Sequence, residues 1–327
     1  MIFKCKNCGG NTVYEPGRKS MYCPHCEGID AEYIVKEGSI TQCGNCGAPI
    51  MVGPYTSSDR CIHCGSYIVF DERIEERYRP NLILPFKINK DMAVEALNKE
   101  FNKRTFTPSS FLSEKSLNSM QGIYVPFWMY DYRANYDFRG QATKVRTWVS
   151  GNTQYTETSY YDVIRQMDTG FDKVPVDASI EMNDGEMDLM EPYTYAELEG
   201  FDPKYMSGFF GEVFNQGADE LEERARMKAK SASEELMQQS LSGYTSVKPV
   251  HKNLNLNRNG LYYALMPVWL YKYDYRGETY RFHVNGQTGK VVGKTPVSRA
   301  KVLLYGLTTC VSISAIMYLA IAILELL

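Results

Sequence analysis

The alternation of apolar and polar positions divides the chain into strand-like, helix-like and wholly apolar stretches. Residues 81–88 are apolar but interrupted by Pro85. That suits an edge strand, because proline cannot donate to a ladder. Residues 90–101 place Met92, Ala93, Ala96, Leu97 and Phe101 at helical spacing, with Asp91 in the first turn, where an acid favours the helix dipole. Residues 109–120 read as a loop or short helix. Residues 125–132 and 266–273 match at a constant offset of 141. Each starts a strand at a proline and sets a Trp and two Tyr on one face at period 2. Two βα-type halves, with a helix before each strand, are the natural reading. The aromatics then read as core, with a paired aromatic binding groove as the second reading.

Residues 141–149 and 154–166 flank Ser150, Gly151, Asn152 and Thr153, a hairpin signal. Residues 168–202 hold eleven Asp/Glu against one base, Lys173. They read as a solvated, turn-rich loop, without the D-x-[DN]-x-[DN]-G pattern of a calcium loop. Residues 218–241 predict a helix with Leu221, Ala225, Ala229, Ala232, Leu236 and Leu241 inward. Residues 254–256, 261–275, 278–284 and 291–292 read as strands.

Residues 302–324 are 23 positions without a charge. At about 1.5 Å per residue they cross the ~30 Å hydrocarbon core of a bilayer. Lys290, Lys294, Arg299 and Lys301 precede them. The positive-inside rule then predicts a single pass through the cell membrane with the body cytoplasmic, in a tail-anchor arrangement. The opening residues, Met1 to Cys5, contain no apolar signal-peptide core, so the expectation is a reducing compartment.

That compartment changes how the cysteines read. Eight of the nine fall in the first 64 residues as four C-x-x-C pairs, and the ninth, Cys310, lies in the apolar run. The pairs repeat with period 38: Cys5 and Cys8 match Cys43 and Cys46, and Cys23 and Cys26 match Cys61 and Cys64. In each unit 14 residues separate the two pairs, the spacing of a zinc ribbon. Two sulfurs three positions apart across a turn face one way, and two such knuckles complete a tetrahedral S₄ site. Gly9, Gly47 and Gly65 follow three of the pairs, where the backbone turns tightly. A unit of this size cannot build a sufficient core, so metal supplies much of its folding energy. The expected ligands are Cys5, Cys8, Cys23 and Cys26 for one structural Zn, and Cys43, Cys46, Cys61 and Cys64 for the other. Sequential pairing is favoured, with a crossed set as its alternative. Redox iron and dithiol chemistry are the lesser readings. Four Cys fill each site, so His25 and His63 are expected to face outward.

Charge and missing motifs narrow the function. Residues 1–70 hold six Lys/Arg and six Asp/Glu, which gives no electrostatic footprint for phosphate. The whole chain carries net charge −3. A stretch from Gly289 to Thr295 resembles a P-loop but has three residues between its glycines instead of four, and no following helix pattern. There is no H-E-x-x-H, no G-x-S-x-G, and only four His, at 25, 63, 251 and 283. No catalytic residue is assigned and no enzyme activity is expected. Lys87, Lys90, Lys103 and Arg104, or Arg224, Arg226, Lys228 and Lys230, are the places where a basic face would form.

The order of segments resembles a known family. The ribbons are followed by "VPFWMYDY", "KVRTW…YTETSYYDVIR", "FDKVPVDAS", "EPYTYAEL…F…YMSGF" and "PVWLYKYDYRGETYRFHVNGQTGKVVG", then by an apolar tail. Together they resemble bacterial transcription-factor-IIB-type zinc-ribbon proteins, some of which carry a primosomal helicase-like label. The resemblance implies a cytoplasmic zinc-ribbon protein held at the membrane, and implies no particular activity. Two features depart from the pattern: two ribbons where many such proteins carry one, and a single apolar segment where they often continue.

The expected organisation is α+β: a zinc ribbon over 1–38, a second over 39–70, a charged linker over 71–80, a β-rich body over 81–298 with an internal duplication, and a transmembrane helix over 302–324. The expected role is a membrane-tethered adaptor presenting two Zn-loaded ribbons to a protein partner. A nucleic-acid-associated factor and an enzyme with a site in the aromatic body are the alternatives.

Overall fold

A computed structural model describes residues 1–37, 39–75, 78–108, 111, 117 and 119–326. Most of the expected loop or short helix at 109–120 therefore lies outside the described residues.

Two long strands form the axis of the molecule. β8 (Gln121–Ser150) and β12 (Ser246–Tyr275) run antiparallel, from Gln121 opposite Leu270 to Thr143 opposite Ser246. The sequence suggests broken strands here, because Arg133, Asn135, Asp137 and Arg139 interrupt the apolar pattern. Those four residues all face solvent, while Ala134, Tyr136, Phe138 and Gly140 alternate inward, so the strand continues. β9 (Thr153–Asp177) returns along the other edge of β8 through the expected hairpin, with Gly151 at φ +62°. The strand also absorbs the first part of the predicted acidic loop.

One bulge shows how local chemistry bends this ribbon. Asp131 accepts from the Lys173 amide at 2.8 Å, and the Lys173 ammonium lies 3.2 Å from both its carboxylate oxygens. Lys173 has φ 60° and sits 3.6 Å from the centre of the Tyr262 ring. A Cβ at Gly260 would come within 2.5 Å of the Asp131 carboxylate, so this position needs glycine.

The remaining strands extend the sheet sideways. β13 (Glu278–Asn285) and β14 (Val291–Gly293) add beside the C-terminal part of β12. β7 (Leu82–Ile83) pairs with β12 and is itself covered by β10 (Glu199–Gly200), so it is not the edge strand that Pro85 suggests. On the far side, β11 (Phe210–Glu212) lies parallel to β8 and antiparallel to β5 (Thr56–Arg60), which pairs with β6 (Tyr67–Val69). The second cysteine unit is thus woven into the body's sheet. The first has its own pairs, β1 (Ile2–Cys5) with β4 (Tyr33–Lys36) and β2 (Val13–Glu15) with β3 (Ser20–Tyr22). Between 71 and 80, Asp71–Arg73 form a 3₁₀ turn and Ile74 is buried.

α1 (Lys90–Phe101) forms as its spacing predicts. Asn89 caps it by accepting from the Met92 amide, and Ala93, Leu97 and Phe101 are buried while Met92 is exposed. α2 (Asp184–Met190) is a short helix inside the predicted acidic loop. α3 (Ala218–Ser240) covers one face of the long ribbon. Its buried stripe is Leu221, Ala225, Ala229, Ser233 and Met237, not Ala232 and Leu236. Strict i+4 spacing follows a winding ridge, and Ser233 is buried because its hydroxyl donates to the Ala229 carbonyl at 2.7 Å.

The aromatic strands are core. Tyr130, Tyr132, Tyr271 and Tyr273 are buried, and their partners explain why polar tips are tolerated there. Tyr130 donates to the Ala218 carbonyl at 2.6 Å, Trp128 to Gln216 at 3.0 Å and Trp269 to Ile88 at 3.2 Å.

α4 (Arg299–Leu326) ends the fold. Over Arg299–Ile323 its mean hydropathy is 1.9, and it is the one helix among the described residues long and apolar enough to cross a membrane. None of that stretch is buried against the body. Among the described residues its start is held: the Ser298 amide donates to Phe106, Lys301 to the Thr107 carbonyl, and Tyr305 packs edge-on against Phe106.

Candidate metal centres

Four knuckles bring eight cysteines into two groups. Cys5, Cys8, Cys23 and Cys26 gather in one, and Cys43, Cys46, Cys61 and Cys64 in the other, with all four sulfurs of each within 4.8 Å of one another. The grouping is sequential, not crossed. In three of the knuckles the backbone folds back on the carbonyl of the first cysteine. The amides of Gly9, Gly47 and Gly65 donate to the carbonyls of Cys5, Cys43 and Cys61 at 2.9, 2.7 and 2.8 Å. These glycines have φ +71°, +72° and +72°, the left-handed region that lacks a penalty only for glycine. The fourth knuckle has Glu27 in that place, at φ 56°.

The sulfur geometry fits a tetrahedral ion. Four sulfurs at ~2.3 Å from one centre stand about 3.8 Å apart. Cys5 and Cys26 are 3.8 Å apart, Cys8 and Cys23 3.5 Å, Cys43 and Cys64 3.7 Å, and Cys46 and Cys61 3.8 Å. All are free thiols, far beyond disulfide length. Both groups can hold a metal ion. Cys310 lies apart, on α4. His25 and His63 are exposed and outside both groups. Among the described residues no other His, Cys, Asp and Glu set comes together this way.

The thiols are not equivalent. The Gly28 amide, with Cys8 and Cys23, holds Cys26 down to about 7. Burial would raise Cys64, but hydrogen bonds with Ser66 and Asn45 hold it down to about 5. Against the pull of the Gly10 amide, burial and the neighbouring sulfurs push Cys8 up to about 12. One thiol of each group, Cys26 and Cys64, thus releases its proton more readily than an ordinary cysteine.

Ser66 also joins the groups, a role that spacing alone does not suggest. Its hydroxyl accepts from Asn11 of the first unit at 2.7 Å and from Asn45 of the second at 3.0 Å. Asn45 reaches the Cys64 sulfur at 3.5 Å. Ile2 of the first unit packs with Cys43, Cys61, Ile68 and Phe70 of the second.

The candidate basic faces are largely neutralised. Arg224 meets Asp177, Asp184 and Asp188 at 2.8, 3.2 and 2.8 Å, and Lys228 meets Asp188 and Glu191 at 2.7 Å each. Arg226 pairs with Glu222, Arg104 and Lys103 with Glu100, and Lys87 with Glu197. The predicted acidic loop is therefore in part a packed counter-surface for α3, and Asp177 within it is fully buried.

The chain is 39% identical over 311 residues to the uncharacterised protein YdjG of Bacillus subtilis (strain 168), across 92% of this chain and 91% of that one. The chain belongs to the YdjG family. The likeness covers most of both chains and so is not confined to the cysteine-rich segment. No family model and no solved structure matches the chain.

Proposed function

We propose that the chain is a membrane-tethered adaptor whose two cysteine groups hold structural Zn²⁺ and present a fixed surface to a protein partner in the cytoplasm, without catalysis of its own. The observation that carries this reading is the pair of closed four-sulfur groups locked together through Ser66. Each group offers a full thiolate set, which favours Zn²⁺ in a structural role. Zinc would supply rigidity there, and the protein fixes its position through the knuckle amides and the Asn11–Ser66–Asn45 chain.

The ribbon surface supports a protein partner over a nucleic acid. Met51 is 97% exposed and Ile62 91%, and Ile29, Ile34 and Val35 are also exposed. Apolar side chains held in water on a rigid frame suit a protein interface. The basic side chains that would track phosphate are mostly paired with acids. Lys290 and Lys294 shortly before α4, with Arg299 and Lys301 in its first turn, favour a cytoplasmic body and a single pass through the cell membrane.

Metal analysis of the full chain purified in detergent tests the reading. Two zinc ions per chain are expected, and fewer than about two would overturn the double-ribbon assignment. Titration with duplex DNA across salt is the companion measurement: tight binding that falls steeply with salt would replace the protein partner with a nucleic acid.

A further inference from the structure

Away from the cysteine groups, a cavity of about 300 Å³ opens on the face of the sheet opposite α3. That is the lower end of the size range for small-molecule sites. Its floor crosses five neighbouring strands in the order β5, β11, β8, β12 and β13. The charges on that floor are segregated. Asp59 and Glu212 lie on β5 and β11, Glu181 lies near Glu212 with its backbone carbonyl toward Arg281, the neutral Ile123 lies on β8, and Lys272 and Arg281 lie on β12 and β13. The cavity therefore has an acidic side and a basic side with an uncharged strip, Gln121 and Ile123, between.

The basic side is not explained by folding. Lys272 and Arg281 stand directly opposite each other in the ladder, an arrangement that costs stability. Neither forms an ion pair among the described residues, and Arg281 donates only to the Glu181 carbonyl, at 3.2 Å. The acidic side is equally uncompensated. Glu212 accepts one hydrogen bond, from Ser179 at 2.8 Å. Burial raises its pKa, Glu181 adds to the rise, and Lys272 across the floor opposes it. Two half-sites of opposite sign, each lacking a direct partner, suit one ligand with a charge at each end.

Length follows from the strand spacing. β11 and β12 are two steps apart, about 10 Å. An extended peptide gains ~3.3–3.6 Å per residue, so two or three residues span the gap once hydrogen-bond reach is counted. A simple anion would face Glu212 and Glu181, and a simple cation would face Lys272 and Arg281. We propose that this cavity binds a short zwitterion of di- or tripeptide length, its ammonium toward Glu212 and its carboxylate toward Lys272 and Arg281. Thr56 and Ser58, which also line the cavity, lie between Cys46 and Cys61 of the second ribbon. The ligand would bridge the seam between that ribbon and the body.

Calorimetric titration of the full chain in detergent, with its metal as purified, tests this with triglycine as the probe. Saturable binding is expected, weakened about tenfold or more by N-acetylation or by C-terminal amidation, as loss of a charge-assisted hydrogen bond requires. Lys272→Gln, an exposed position, should weaken triglycine by a similar factor with an unchanged unfolding midpoint, and Glu212→Gln should spare the acetylated form. Absence of saturable triglycine binding overturns the proposal. So does equal binding of the blocked peptides, or Lys272→Gln binding as the unaltered chain does.

Discussion

The two ribbons share ligand spacing and knuckle geometry, yet they are fastened to the protein by different bonds. The second is joined through backbone: β5 pairs with β11, and β11 with β8, so its cysteine frame continues into the central sheet. The first shares no strand pairing with the sheet and is joined mainly through side chains, with one backbone bond to the body, from the Tyr14 amide to the Ser207 carbonyl at 2.8 Å. Phe3, Tyr14 and Met21 enter the main core, Ser207 donates to the Thr12 carbonyl at 2.7 Å, and Asn11 meets Ser66. A metal lost from the second ribbon should therefore loosen the sheet, whereas one lost from the first should cost mainly its own packing.

The largest effect expected is from ligand removal. Cys61→Ser should lower the unfolding midpoint of the whole chain, because a structural zinc site contributes folding free energy directly and β5 ends just before this ligand. Cys23→Ser should leave most of the cooperative transition in place while hydrogen exchange rises across residues 1–36. Equal losses from both variants would break the distinction. Next come the fastenings themselves. Gly211→Ala places a Cβ within 2.6 Å of Met206 and 2.7 Å of the Ser57 hydroxyl, which should cost about 1–3 kcal/mol by overpacking. Ser207→Ala leaves the buried Thr12 carbonyl without its donor, for about 1–3 kcal/mol. Denaturant titration of both variants, with metal content measured in parallel, should show metal retention falling in the second ribbon for the first variant and in the first ribbon for the second.

Acid separates ribbons from body more subtly. Protons compete with metal for thiolates, so the ribbons release metal as pH falls. Asp177 acts in the opposite sense. Burial outweighs the Arg224 guanidinium beside it and lifts its carboxyl to about 6, above the usual carboxylate range. The folded protein then binds this proton more tightly than the unfolded chain, so this group's contribution favours folding as pH drops from about 6 toward ~4 and is lost as pH rises again. Asp177→Asn should remove that slope from stability measured between those values, and an unchanged slope would assign it to other groups. The smallest effect lies in the fourth knuckle. Glu27→Gly relieves a left-handed non-glycine residue and should stabilise the first ribbon by up to about 1 kcal/mol, read as slower metal release to a chelator.

The cysteine groups were legible because their geometry is local: two ligands across one turn, repeated, leave a spacing that cannot be mistaken. The apolar end was legible for the same reason of continuity. The seam was not, since β11 is only Phe210–Glu212, too short for any period to show, and its partners lie far off in both directions along the chain. The length of β8 was written in the alternation of Ala134, Tyr136 and Phe138, but charged neighbours masked it. The winding of the α3 stripe onto Ser233 was hidden because a serine reads as polar until its hydrogen bond is known. The cavity gave no signal at all, because five strands far apart in sequence contribute two or three residues each.

The long β8–β12 pair also sets an order of events during synthesis. β8 closes against β9 across a two-residue turn as soon as both have emerged. Its other edge must wait for β12, whose first residue comes 96 positions after the end of β8. At roughly 5–20 residues per second, that wait is on the order of five to twenty seconds. Throughout it the nascent hairpin carries an open edge rich in tyrosine, and the protein is most exposed to wrong pairing before its second half exists.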